Sequence, residues 1–131
     1  MAAKSRYLSN KALNNALVNT AYTPPTTVYT ALNTTTSTAT VPGTEDSDAN
    51  YARIATTFST ATTGTTSNTV TLGPFYGTGR AASSATIVEA AIYDTLTLGN
   101  ELYFGSLAVP KTVAVGDTLS FAATALSITE Q

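Results

Sequence analysis

Residues 87–109 read IVEAAIYDTLTLGNELYFGSLAV and hold the two most apolar runs of the chain, Ile87–Tyr93 and Leu102–Val109. Ile, Val, Tyr and Phe favour a pleated, half-buried surface over a helix. These runs therefore predict the middle of a β-sheet, with Pro110 stopping the second. Working outward, shorter stretches alternate with period 2. In Thr26–Leu32, Val28, Thr30 and Leu32 face away from Thr27, Tyr29 and Ala31. Tyr51–Ser59 alternates in the same way, and Thr69–Leu72, Thr112–Val115, Thr118–Ala122 and Leu126–Thr129 are short candidates bounded by Gly or Pro turns. Seven or eight short strands with frequent turns predict an all-β fold, an antiparallel β-sandwich or jelly roll.

Composition supports this. Threonine supplies 28 of 131 residues, and its β-branch suits strands. The length predicts one domain over residues 1–131, with a helical segment at 1–20 and the sandwich over 26–131. Residues 5–18, SRYLSNKALNNALV, place Leu8, Leu13 and Leu17 on one stripe behind a Ser5 N-cap, which predicts an amphipathic helix. At about 14 residues such a helix is marginal alone and needs a surface to lie on. Lys4, Arg6 and Lys11 give this segment +3; a net charge of −2 then leaves −5 on the remainder. That asymmetry predicts a first segment that meets a different surface from the rest. We read Leu8, Leu13 and Leu17 as interface residues.

The composition argues against several functions. Histidine and cysteine are absent, so an imidazole base, a thiolate nucleophile and the usual zinc ligands are missing. The carboxylates at Glu89, Asp94, Glu101 and Asp117 are scattered one at a time. We therefore expect no enzyme, metal or cofactor. Asp46-x-Asp48-x-Asn50 opens like a calcium loop, but Tyr51 and Thr57 stand where that motif needs Gly and Glu. Gly77-Thr78-Gly79-Arg80-Ala81-Ala82 matches a dinucleotide fingerprint without the strand–helix context it needs. The net negative charge opposes nucleic-acid binding, and no run reaches the ~18 apolar residues of a membrane span.

Two stretches, 33–50 and 73–86, are small, polar and fit no strand. Val41 is the one sizeable aliphatic in the first, and Phe75 and Tyr76 are the aromatics of the second. With so few apolar anchors these loops are expected to order only against a partner, and Phe75 and Tyr76 are read as its contacts. Arg53, on a strand of Thr and apolar neighbours, is expected to be paired, with Glu89 or Asp94 across the sheet or with a neighbouring subunit.

Three segments carry a resemblance: YLSNKALNNAL with AYTPPTTVYTALNT (7–34), GTEDSDANYARIATTF with TSNTVTL (43–72), and AAIYDTLTLGNELYFGSLAVPKTVAVGDTLSFAATALSIT (90–129). Together they resemble a family of small virion proteins of tailed bacteriophages, tail fibre-like or minor tail proteins, whose small folds are similar to those of capsid decoration proteins. The resemblance implies a structural subunit of the virion, made in the host cytoplasm, that touches other virion proteins and copies of itself. It also leaves open a host-surface or carbohydrate-binding module at the tail tip.

Overall fold

The structure, a computed structural model, describes residues 2–130. It is an all-β sandwich of two antiparallel sheets and seven strands with one N-terminal helix. The strands are β1 (Ala3–Lys4), β2 (Val28–Asn33), β3 (Ile54–Thr56), β4 (Thr65–Ser67), β5 (Ala85–Tyr93), β6 (Glu101–Val113) and β7 (Ser127–Thr129). Helix α1 spans Arg6–Leu17. The larger sheet runs β1-β6-β5-β2-β3, and β4 pairs with β7 in the second layer.

The quoted stretch forms the centre of the larger sheet. Ile92 faces Thr30 on β2 and Tyr103 on β6, and Ala91 faces Ala31 and Phe104. Ala31, Leu32, Ile87 and Ala91 are wholly buried. One face of the sheet packs against the 72–76 segment, where Leu72, Phe75 and Tyr76 meet Leu32, Ile87 and Val113 in the main core. A second cluster joins Ile92 and Leu102 to Ile128 of β7.

Several strand boundaries differ from the sequence expectation. Pro110 does not end its strand. The pairs Glu89–Ser106 and Ile87–Lys111 bracket a register shift, so Pro110 falls in a bulge, where its missing N–H costs no ladder bond. The runs predicted at 102–109 and 112–115 are thus largely one strand. Thr69–Leu72 and Thr118–Ala122 shrink to one reciprocal bridge, with Leu72 and Phe121 exchanging N–H···O bonds of 2.8 Å. Strand β4, Thr65-Thr66-Ser67, carries no apolar alternation and was not predicted.

The two polar stretches are also corrected. Both are tied to the subunit itself, by polar anchors where the sequence reading required apolar ones. The strap at 34–46 is held by Ser37 and Glu45, and the 73–86 loop by Phe75, Tyr76 and Arg80.

Candidate functional site

Helix α1 is rooted at one end and free along its length. Ser5 caps it: its Oγ accepts from Leu8 N at 3.2 Å and donates to Glu101 O at 2.5 Å, while its N–H bonds Leu102 O at 2.9 Å. Tyr7 and Leu8 pack against the Ile92–Leu102–Ile128 cluster. Lys4 on β1 pairs with Glu130. Beyond this root no residue of the helix is buried, and Leu13, Leu17 and Val18 are 56%, 78% and 67% exposed. The helix ends where Asn19 turns left-handed at φ 55°, and Val18 N and Thr20 N both bond Asn14 O. It is therefore a projecting arm that presents an apolar end on a basic segment.

Arg53 is paired, but its partner is neither Glu89 nor Asp94. Its guanidinium grips Glu45 with two bonds, Nε–Oε1 at 2.9 Å and Nη2–Oε2 at 2.7 Å. Nη1 donates to Thr95 O and Leu98 O, and the plane lies 3.7 Å over the Tyr93 ring. Burial alone would lower the Arg53 pKa; the Glu45 bonds and charge outweigh it and raise the net value. Tyr51 joins the group, donating to Glu45 at 2.8 Å and accepting from Leu32 N. All of these partners belong to the same subunit, so Arg53 ties the 94–99 turn and the strap to the sheet. Glu89 lies elsewhere, under Ser37, and Asp94 bonds Asn100.

Phe75 and Tyr76 are not free to meet a partner. Both are fully buried, Phe75 edge-on to Phe121 and stacked on Tyr51. Both belong to the main core, and the Tyr76 end is clamped by Arg80, which the sequence reading did not single out as an anchor. Its guanidinium pairs with Asp46, whose carboxylate also accepts from the Tyr76 hydroxyl. Asp48 accepts from Ala81 N and Ala82 N. The Ala82 N–H, then those of Asn50 and Ala81 with the Arg80 charge, overcome burial and hold Asp48 below the usual carboxylate range. The calcium-like carboxylates are thus the clamp between two loops. The Gly-rich match at 77–82 has a structural meaning as well: Gly79, at φ 105°, passes so close to the Gly116 backbone that a Cβ would lie 2.6 Å from its carbonyl oxygen. Among the described residues no cluster of acids could hold a metal ion, and no helix is long and apolar enough to cross a membrane.

The fold and site define a class: a β-sandwich building block that spends Arg53, Arg80, Glu45, Asp46 and Asp48 on its own loops and, among the described residues, projects a helix. The family described as Podophage GP4 fiber I protein gp80 matches residues 3–129, and the chain belongs to it. It is accordingly a structural protein of the bacteriophage virion. No curated protein matches it.

Proposed function

We propose that this chain is an accessory fibre or minor tail subunit that attaches to other virion proteins through helix α1. The carrying observation is the exposure of Leu13, Leu17 and Val18 on an arm whose root is fixed by Ser5, Tyr7 and Leu8. Seating those three side chains in a partner removes about two whole aliphatic side chains from water, roughly 3–6 kcal/mol before the costs of association. Repetition around a symmetric particle multiplies such a contact.

Leu17→Asp and Leu13→Asp tests this. The free variants keep the parent melting temperature, because neither leucine contributes to the core. Virions assembled with them lack the subunit on a quantitative gel. Normal incorporation refutes the docking role of α1. The same gel counts copies per particle: a few match a fibre position, and hundreds match a decoration of the capsid.

A further inference from the structure

Two carboxyl groups lie buried together beneath the strap, Glu89 on β5 at 1% exposure and Glu101 on β6 at 5%. Ser37 Oγ stands between them, 2.5 Å from Glu89 Oε1 and 2.8 Å from Glu101 Oε1. A hydroxyl has one hydrogen and two lone pairs. Gly43 N–H donates to this oxygen at 2.7 Å, and the Asn33 amide, whose shorter bond is to Glu89, reaches it at 3.3 Å. The hydrogen goes to the nearer Glu89, which also accepts from Asn33 Nδ2 at 2.8 Å and from Ser37 N at 2.9 and 3.0 Å. The remaining contact, to Glu101, then needs a donor on Glu101. A carboxylate has none, and a carboxylic acid has one.

We propose that Glu89, Ser37 and Glu101 form a proton-dependent latch: a proton held by Glu101 keeps the 34–43 strap down on the sheet, and its loss releases the strap and loosens the helix root. The coupling to the helix is direct. Ala39 O of the strap accepts from Arg6 N at 2.6 Å, and Arg6, Tyr7, Ala39, Val41 and Glu101 line one cavity of about 230 Å³. Once Glu101 ionises, two acceptors face each other across Ser37, and its one hydrogen can serve only one of them.

The surroundings offer no compensation. Glu101 is faced from β5 by Glu89 and Tyr93, and from the strap by Ser37. Arg53, over Tyr93, is committed to Glu45, and Lys4 is paired with Glu130. Arg6, on the helix, shares the cavity without pairing with Glu101 among the described residues. Burial outweighs the Ser37 hydroxyl, which favours the charged form only when it donates to Glu101, and together with the Glu89 charge raises Glu101 to about 7. The latch stands on this geometry whatever α1 binds.

The test is a carboxyl titration of the whole chain labelled with carbon-13 glutamate, followed by nuclear magnetic resonance. Glu101 is expected to titrate near neutrality, with the amides of Ser37, Ala39 and Arg6 shifting at the same midpoint. Their exchange protection, corrected for intrinsic rates, should fall at least ~10-fold between about pH 6 and about pH 8. Glu101→Gln, which stays neutral and can still donate, should abolish the shared transition. A Glu101 midpoint below about 5.5, or strap amides that ignore it, overturns the latch. Should the variant fail to fold, the parent titration decides alone.

Discussion

Replacing Arg53 by Met keeps much of the aliphatic stem and removes every donor. Glu45 loses two charge-assisted bonds and retains the Tyr51 hydroxyl, and the Thr95 and Leu98 carbonyls lose their common partner. Removing one member of a buried ion pair costs about 3–5 kcal/mol. The Glu45 side chain is 25% exposed and recovers some hydration, so the expected loss is about 2–4 kcal/mol. At roughly 4 °C per kcal/mol for a domain of this size, melting should fall by about 8–15 °C. Thermal unfolding followed by circular dichroism measures this directly. Arg53→Lys should lose nearly as much, because an ammonium cannot reproduce the fork. A double-mutant cycle with Glu45→Gln isolates the pair, and a coupling of roughly 1.5–3 kcal/mol is expected. A shift under about 2 °C for Arg53→Met, or simple additivity with Glu45→Gln, would falsify the view that this cluster holds the strap and the 94–99 turn.

Phe75→Ala leaves a hole between Tyr51 and Phe121 and should cost about 3–5 kcal/mol in denaturant unfolding, where an exposed partner-binding residue would cost almost nothing. Arg80→Met strands the Asp46 carboxylate and should open residues 77–84 to limited proteolysis, with cleavage unchanged if Asp48 and Phe75 hold the loop alone. Glu101, raised from 4.5 to about 7, contributes stability that is complete below about pH 4.5 and is lost as pH rises through 7. Glu101→Gln should therefore raise the melting temperature at about pH 8 and leave it nearly unchanged at about pH 5; equal effects at both would contradict the buried acid.

The central sheet and the helix were legible in the sequence because both advertise themselves by period. Ile87–Tyr93 is apolar but for Glu89 and is covered on both faces, and Ser5 with the Leu8–Leu17 stripe marks a helix that begins one residue later. Strand β4 was not legible, since Thr-Thr-Ser pairs through its backbone and Thr65 meets Thr129 side chain to side chain. The loops were misread for a related reason. Counting large apolar residues found few anchors, yet Ser37, Glu45, Asp46, Asp48 and Arg80 supply them through hydrogen bonds. The available signal was Arg80: a lone Arg in a run of Gly, Ala and Ser needs a partner, and the acids of 45–48 were the one cluster of carboxylates in the sequence.

That substitution of polar anchors for apolar ones bears on how the subunit assembles. A loop ordered only on docking charges its conformational entropy to the interface, roughly 1–2 kcal/mol per residue. Here the strap and the 73–86 loop are already ordered in the free subunit by Glu89, Arg53 and Arg80. Under the proposed docking through α1, association has little left to order except the side chains of the helix and of the surface that receives it. A modest apolar contact of a few side chains is enough under those terms. The same ordering explains why the latch matters. Under the proposed latch, the proton on Glu101 supports the Ser37 end of the strap, and the strap touches the helix root where Ala39 O accepts from Arg6 N.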